Sequence, residues 1–274
     1  MEKKRILIVG LEGDEVSAIK ENLGFEYLIV HYDMLPNIKL IEGELFVESS
    51  TTPDKYLLVD KVIFHGIFET DFDFITLLAL WNGPCLPNAT GMMDLRNRIP
   101  GLVRALNVSK FNGTKRGMLI NEQQYFTDKE VVAKWGIWHC GEDKNKFTGE
   151  WKSAETSVIE EFIEGEAVRI MLVGDQHWQI RLTGENWLKS IHNKGSWEMD
   201  VDAELLQDTK NLAKHFNLQT VGVDYMIGSD GQKHLLEVNH IPNVTVFPFI
   251  NKAYIEFTKN WIGQSINQFK QLTD

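Results

Sequence analysis

Cysteine is scarce in this sequence of 274 residues, and its two cysteines, Cys85 and Cys140, are not in CxxC spacing. The sequence therefore predicts neither a disulfide framework nor a zinc knuckle. Long hydrophobic runs are also missing, because the longest apolar stretch, "FITLLALW" (74–81), is far below the roughly 18 residues of a membrane span. The apolar run near residue 5 is too short for a signal-peptide core. These features favour a soluble, cytoplasmic protein.

Positive charge is in deficit, with 28 Lys and Arg against 39 Asp and Glu and a formal net charge of −11. We therefore expect neither nucleic acid nor an anionic membrane as the main partner. A content of 43% hydrophobic and 24% charged residues is typical of a globular protein. The sequence does not set the oligomeric state, although a homodimer is the common assembly of soluble proteins.

The first 80 residues alternate between strand and helix patterns, which predicts a small α/β unit with a mostly parallel sheet. The segments are the strand "RILIVG" (5–10), a helix at 14–23, the strand "EYLIVH" (26–31) and the apolar run "VDKVIFHGIF" (59–68) before a further helix. The acidic segment "VGLEGDE" (9–15) is not a dinucleotide fingerprint, because the third glycine is missing and its acids would repel a pyrophosphate.

A segment with two prolines and two glycines, "NGPCLPNATG" (82–91), predicts a domain boundary. We assign residues 1–88 to an N-terminal α/β domain and residues 89–274 to a second domain. In the second domain, Pro100 either breaks a helix or opens a second one. Strand-rich segments follow, so the fold class is α/β with α+β character in the C-terminal part. Amphipathic helices are predicted at about 202–216 and 252–272.

A β-hairpin is predicted for "GVDYMIGSDGQKHLLEVN" (222–239), where two runs of β-formers flank a turn. If Asp230 and Gly231 form a two-residue loop, Asp224 lies directly opposite Glu237. Opposed side chains on a sheet have Cβ atoms about 5 Å apart, and like charges at that spacing are destabilising.

Asn239 shares the sheet face of Glu237, because side chains alternate along a strand. Asp224, Glu237 and Asn239 thus offer oxygen ligands of the kind that Mg²⁺ takes, together with waters and nucleotide phosphates. The alternative is an exposed sheet face on which acids sit opposite each other without a ligand. The apolar alternate positions favour the metal site, since they pack the other face and hold the acids rigidly.

Phosphates that complete such a metal shell require cationic partners elsewhere in the sequence. Lys134 lies in the predicted strand "EVVAKWGIW" (130–138), where a single lysine is commonly a solvated charge. Arg169 and Arg181 lie on the two arms of a second hairpin. They face one another if its loop is 174–176, and lie on opposite faces if the loop is shorter by one residue.

The order of these motifs resembles the ATP-grasp superfamily over residues 88–245, and in particular its glutamate-adding (ribosomal-protein-modifying) and peptide-modifying carboxylate-amine ligases. The hairpin at 222–239 resembles the Asp…Glu-x-Asn magnesium signature, and "VIEEFIEG" (158–165) is similar to the hinge strand that binds adenine. The resemblance implies a small pre-ATP-grasp unit followed by a two-lobed ATP-grasp domain. The nucleotide cleft would lie between a small lobe near 100–163 and a large lobe near 164–274.

The resemblance also assigns roles in binding ATP. The adenine would lie along Glu161, Phe162 and Ile163, with Glu160 beside its amino group and Glu166, or else Glu164, on the ribose. The phosphates would be contacted by Lys134 and by Arg98, which stands in "LRNR" (95–98) where the family usually has lysine.

The remaining implied roles concern the metal and the substrates. Asp224, Glu237 and Asn239 would hold one or two Mg²⁺ ions, with Mn²⁺ as a substitute. Arg169 would face the transferred phosphate, while Arg181 and, from "KSIHNKGS" (189–196), Lys189 and Asn193 would orient the carboxylate.

The chain departs from the family pattern where a glycine-rich loop usually covers the phosphates. Here "WGIWHCGEDKNKFTGEWKSAE" (135–155) is short, aromatic and acidic, and a lid is expected from 139–149.

The function that the resemblance implies is a Mg·ATP-dependent ligase that joins a carboxylate to an amine through an acyl phosphate. Its substrates would be amino acids, other small molecules or peptides. One alternative is a kinase of the same superfamily, and another is an ATP-binding regulatory module without catalysis. A ligase releases an amide and phosphate, whereas a kinase leaves a phosphorylated product.

Overall fold

The computed structural model describes residues 3–21, 23–136 and 143–264 of the chain. Within these ranges, the chain forms six helices and four sheets. Three of the sheets are antiparallel and one is parallel. The expected α/β fold class with α+β character is confirmed. None of the helices in these ranges is both long and apolar enough to cross a membrane.

The N-terminal elements form a four-stranded parallel sheet of strand order β2-β1-β6-β7, as predicted. Its central residues, Ile6–Val9 and Val62–Phe64, have no exposed surface, which is typical of parallel strands covered on both faces. The elements are β1 (Lys4–Val9), α1 (Gly13–Lys20), β2 (Tyr27–Tyr32), β3 (Ile38–Ile41), β4 (Glu44–Glu48), β5 (Tyr56–Val59), β6 (Lys61–Phe64), α2 (Asp71–Trp81) and β7 (Cys85–Leu86).

An antiparallel sheet of strands β3, β4 and β5 was not predicted. Its first hairpin turns at Glu42 and Gly43, whose φ angles are 52° and 81°. Positive φ at both central residues is the type I′ geometry that suits a two-residue hairpin loop. The Glu-Gly pair between two apolar runs was therefore a usable sequence signal.

The middle of the chain forms two short helices and a four-stranded antiparallel sheet of order β10-β9-β11-β8. Pro100 opens a second helix, because α3 stops before Asn97 and Pro100 lies in the first turn of α4. The elements are α3 (Ala89–Arg96), α4 (Arg98–Leu106), β8 (Arg116–Leu119), β9 (Gln124–Trp135), β10 (Lys144–Lys152) and β11 (Ser157–Glu161).

Strand β10 corrects the expectation of a lid over residues 139–149. From Lys144 onwards this segment is a strand that pairs with β9. Its earlier part, up to residue 142, lies outside the described residues. Gly149 follows a register irregularity within the β10–β9 pair.

The C-terminal part forms a five-stranded antiparallel sheet of order β14-β13-β12-β15-β16, with α5 on one face and α6 on the other. Helix α5 begins at Asp202, whose side chain accepts hydrogen bonds from the backbone N–H groups of Glu204 and Leu205. The elements are β12 (Gly165–Val173), β13 (Gln176–Arg181), β14 (Trp197–Met199), α5 (Ala203–His215), β15 (Thr220–Gly228), β16 (Lys233–Asn239) and α6 (Pro248–Gly263).

Helix α6 joins the large sheet to the N-terminal parallel sheet. Ile8 of β1, Met171 of β12 and Ile262 of α6 belong to one buried apolar cluster. Helix α6 begins at Pro248 and ends at Gly263, so the predicted helix at 252–272 starts four residues too late. The part of the prediction beyond residue 264 lies outside the described residues. The buried side chain of Lys61 lies against this C-terminal end.

Candidate active site

A cavity of about 680 Å³ lies between the antiparallel sheet of β8–β11 and the large sheet, and the loops after β1 and β6 close one end. This volume is in the range of sites for small molecules and cofactors. Predicted site residues that line the cavity are Lys134, Glu160, Glu161, Phe162, Ile163, Arg169, Lys189, Asp224, Glu237 and Asn239.

The hairpin of β15 and β16 places Asp224 directly opposite Glu237, as predicted. The route to this pairing differs from the prediction, because Ile227 pairs with Lys233 and the loop is one residue longer. An irregularity next to Asp224 leaves Leu236 without a partner and restores the expected register. The two differences cancel, so both carboxylates face the cavity.

Arg169 neutralises the carboxylate of Asp224. Its Nε lies 2.6 Å from Asp224 Oδ1 and its terminal nitrogen 2.8 Å from Oδ2, a bidentate pair. Burial disfavours the charged guanidinium, but the carboxylates of Asp224 and Glu237 outweigh it and raise the pKa of Arg169. Asn239 Nδ2 lies 3.4 Å from Asp224 Oδ2.

Glu160, on β11, binds two cationic side chains at the cavity. Its side chain is 3% exposed, contacts Lys134 Nζ, and accepts a hydrogen bond of 2.8 Å from Arg116 Nε. Burial alone would raise the pKa of Glu160, but Lys134 and Arg116 hold it below its usual value. Both carboxylate oxygens of Glu160 thus have cationic partners. The contact with Glu160 orients the ammonium group of Lys134 towards the cavity.

Glu161, the last residue of β11, and the next two residues, Phe162 and Ile163, line the cavity. The Phe162 ring lies 4.3 Å from Lys146 Nζ and 6.4 Å, centroid to centroid, from the Trp187 ring. Trp187 also lines the cavity, which gives this end an aromatic wall.

Arg98 lies behind the cavity wall, where its side chain is 4% exposed. It donates to the carbonyl oxygens of Trp135 at 2.6 Å and of Asp143 at 3.5 Å, on either side of the β9–β10 connection. Arg98 shares a small recess with Lys134 and Glu237 rather than lining the main cavity. Its position supports the strand ends that carry the lysines.

Arg181 and Glu166 lie away from the cavity. Val173 pairs with Gln176, so the loop has two residues and Arg181 lies on the sheet face opposite to Arg169. Arg181 pairs with Glu166 at 3.4 Å and lies over the Trp197 ring at 4.8 Å. The open question about this hairpin is therefore resolved in favour of opposite faces.

Lys189 and Asn193, from one predicted segment, lie in different surroundings. Lys189 lines the cavity, and its Nζ donates to the carbonyl oxygen of Asn186 at 2.7 Å. Asn193 does not line it, because its Oδ1 accepts hydrogen bonds from Thr183 Oγ1 at 2.7 Å and from the N–H of Gly195. A short polar side chain in a turn commonly bonds nearby backbone in this way.

Sequence reasoning missed the N-terminal end of the cavity, which Glu12, Glu15 and His65 line. Glu15 Oε2 is buried and has no hydrogen-bond partner within the described ranges. These residues follow the carboxyl ends of β1 and β6, which are neighbours in the parallel sheet. Ligands of open α/β sheets bind at such strand ends, so this position was an available signal.

Lys144 was also missed, because its segment was interpreted as a loop. It stands directly opposite Lys134 in the β9–β10 pair and lines the cavity. Its Nζ lies 3.7 Å from Glu237 Oε2. Asp224 therefore has a cation from the adjacent strand β12, and Glu237 has one from β10 of the other sheet.

The donor set of the hairpin fits a divalent cation that is shared with phosphates. No group of three or more His, Cys, Asp and Glu side chains within the described ranges is arranged to hold a metal ion by itself. Asp224, Glu237 and Asn239 supply two carboxylates and one amide on one face, and Mg²⁺ commonly takes one or two carboxylates plus substrate phosphates.

Acidification is expected to destabilise the fold through His65. Its ring lies 5.0 Å from the Tyr254 ring, and burial lowers its pKa from 6.5 to about 4. Between these values the unfolded chain binds a proton that the folded chain does not, so stability falls as the pH drops from 6.5 to 4. We expect a loss of roughly 2 kcal/mol over this range from urea titrations at several pH values.

The substitution His65→Gln should remove this part of the pH dependence. His215→Gln, at an exposed position at the end of α5, is the control and should leave it in place. An identical pH profile for wild type and His65→Gln would contradict the assignment.

Solved structures with the same fold were found over nearly the full chain. D-alanyl-alanine synthetase A from Vibrio cholerae has a TM-score of 0.67 at 14% identity, with 100% of both chains covered. A RiPP-associated ATP-grasp ligase from Chryseobacterium gregarium, solved with ADP and a leader and core peptide, has a TM-score of 0.58 at 13% identity and covers 92% of this chain and 96% of its own. The ATP-grasp ligase PsnB, solved with a minimal precursor, Mg and ADP, has a TM-score of 0.56 at 14% identity, with 94% and 99% covered.

This chain has the ATP-grasp fold. The resemblance inferred from its motifs is thereby confirmed at the level of the fold. No protein-family model and no curated protein sequence matches the chain. An identity of 13–14% to these ATP-grasp structures means that the residues of this cavity, rather than transfer from a relative, must support any function.

Proposed function

We propose that this protein is a Mg·ATP-dependent ligase that joins a carboxylate to an amine through an acyl phosphate. The observation that carries the proposal is the cavity itself. The carboxylates of Asp224 and Glu237 face Lys134 and Lys144 across it, next to the hinge of an ATP-grasp fold. A polyphosphate with a divalent cation satisfies both sets of charges at once.

In this proposal the nucleotide base lies against Glu161, Phe162 and Ile163, and Lys134 contacts the phosphates. The residues that hold the metal are Asp224, Glu237 and Asn239, and a bound Mg²⁺ or Mn²⁺ neutralises charge on the phosphates. Glu160 keeps Lys134 oriented, because their contact is buried.

Arg169 is placed to act on the transferred phosphoryl group. It pairs with Asp224 and lies on the cavity face of β12. Attack by the substrate carboxylate on the γ-phosphoryl group yields ADP and an acyl phosphate. An amine then displaces phosphate and forms the amide. Lys189, at the other side of the cavity, is positioned to orient the carboxylate.

The amine substrate lies at the end of the cavity that Glu12, Glu15 and His65 line. An ammonium group fits this end, because a buried carboxylate oxygen of Glu15 lacks a partner within the described ranges. An amino acid or a peptide is the substrate class that best combines an amine with a carboxylate. Neighbouring folds are a D-alanyl-alanine synthetase and ligases solved with peptides, which supports the same class.

We further propose that residues 1–88 form the unit that contributes the substrate end of the cavity, and that residues 89–274 form the ATP-grasp domain. The nucleotide lies between the lobes near 100–163 and 164–274. Because the reaction consumes ATP, we place the enzyme in the cytoplasm.

The test is incubation of the purified protein with Mg·ATP and a panel of amino acids and peptides. We expect release of ADP and phosphate together with a product whose mass corresponds to an amide. A phosphorylated product without free phosphate would identify a kinase instead. ATP binding by calorimetry without turnover on any acceptor would identify a regulatory module, and either outcome would overturn the ligase.

A further inference from the structure

The paired strands β9 and β10 place two lysines directly opposite each other. Lys134 and Lys144 are paired residues, so their side chains lie on one face of the sheet. Like charges directly opposite each other on a sheet are destabilising.

The two lysines differ in how firmly they are held. Lys134 contacts the buried carboxylate of Glu160, which Arg116 also binds. Lys144 Nζ lies 3.7 Å from Glu237 Oε2, which is an ion pair but longer than a hydrogen bond. Lys144 is therefore an electrostatic partner of Glu237 that can turn towards another anion in the cavity.

The opposite wall has the complementary arrangement of charges. Asp224 and Glu237 are paired residues on β15 and β16, and they too are like charges on one face. A divalent cation at Glu237 would meet the ammonium group of Lys144 close by. A nucleotide polyphosphate with its divalent cation would supply a counter-charge to both walls, in addition to the ion pairs that Lys144 makes with Glu237 and Arg169 makes with Asp224.

We propose that Lys144 binds the nucleotide phosphates together with Lys134, and serves as the counter-ion of Glu237 until a metal takes its place. This inference rests on the proposed ATP-dependent function. Register fixes the position of Lys144, because it pairs with Lys134 and the N–H of Trp135 donates to the carbonyl oxygen of Asp143 at 3.0 Å.

The first experiment measures nucleotide affinity by calorimetry without divalent cations. Lys144→Met should weaken ATP binding by about 10- to 100-fold, because a charge-assisted hydrogen bond is lost. The loss for AMP should be several-fold smaller, because AMP lacks the β- and γ-phosphates. Lys144→Arg should retain most of the ATP affinity. The matched control is Lys152→Met, at an exposed position of the same strand, with unchanged affinities.

The second experiment titrates Mn²⁺ alone, without nucleotide. Lys144→Met should bind Mn²⁺ several-fold more tightly than wild type, because the ammonium group no longer competes at Glu237. A residue with a structural role only would weaken both ligands or neither. Opposite changes for ATP and Mn²⁺ therefore distinguish a phosphate-binding counter-ion from a residue that supports the fold.

The outcomes separate this inference from the function on which it rests. If wild type binds no ATP, the proposed function fails. If wild type binds ATP and Lys144→Met equals Lys152→Met, only the role of Lys144 is overturned. Equal losses for ATP and AMP would also overturn it. Lys144→Gln is measured in parallel, so that the comparison stands if the methionine variant does not fold.

Discussion

Replacing Glu237 with glutamine is expected to reduce ATP-dependent turnover by at least about 1000-fold, since the metal and the phosphates lose one of two carboxylates. Glu237 lies opposite Asp224 and faces the cavity. Glutamine has nearly the same shape but no charge, so the change removes electrostatics and leaves the packing. The rate of ADP release with an active amine and carboxylate pair is the measurement.

The same substitution should leave the fold intact. Glu237 and Asp224 are like charges on paired positions, so removing one of them relieves repulsion. We expect the midpoint of thermal unfolding to stay within a few degrees of wild type. Glu198→Gln is the control, because Glu198 is exposed on β14 and does not line the cavity. Turnover of Glu237→Gln within tenfold of wild type would remove the metal site from the proposal.

The second large effect is expected on stability, from Lys61→Met. Lys61 has no exposed surface, and its Nζ donates to the carbonyl oxygens of Trp261, Ile262 and Gln264 at 3.1, 2.9 and 2.8 Å. These carbonyls are at the end of α6, where a helix lacks internal donors and favours a positive charge. Methionine fills the space but leaves buried acceptors without their donor.

We expect Lys61→Met to lower the free energy of unfolding by about 3 kcal/mol, the size of a lost buried hydrogen-bond network. Urea titration of folded protein is the measurement. Lys55→Met, at an exposed position before β5, should change stability by less than about 0.5 kcal/mol. A loss below 1 kcal/mol for Lys61→Met would show that water or a rearranged helix end replaces the amine.

The hairpin of β15 and β16 shows why the candidate site was partly predictable. The β-formers and the turn of 222–239 predict two strands, and alternation places Asp224, Glu237 and Asn239 on one face. The loop length was wrong by one residue, and the irregularity beside Asp224 compensated for it. A bulge of this kind depends on packing of the whole sheet, which local sequence does not reveal.

Arg181 and Lys144 show where prediction from the sequence stopped. The register of the β12–β13 hairpin depends on one residue in a turn, and that residue decided that Arg181 pairs with Glu166 and not with the site. Lys144 was not predicted because its segment stands where the family has a loop over the phosphates, and it was therefore interpreted as a lid. Its pairing with β9 brings it into the cavity and next to Glu237, which is far from it in the sequence.

The sequence by itself determined the fold class and the acidic face of the hairpin, because strand alternation and turn residues act over a few neighbours. The tertiary structure alone decided which cations meet those acids, that the loops after β1 and β6 close the cavity, and that Lys61 ends α6. These contacts join residues far apart in the chain, so they depend on the packing of sheets and helices against each other.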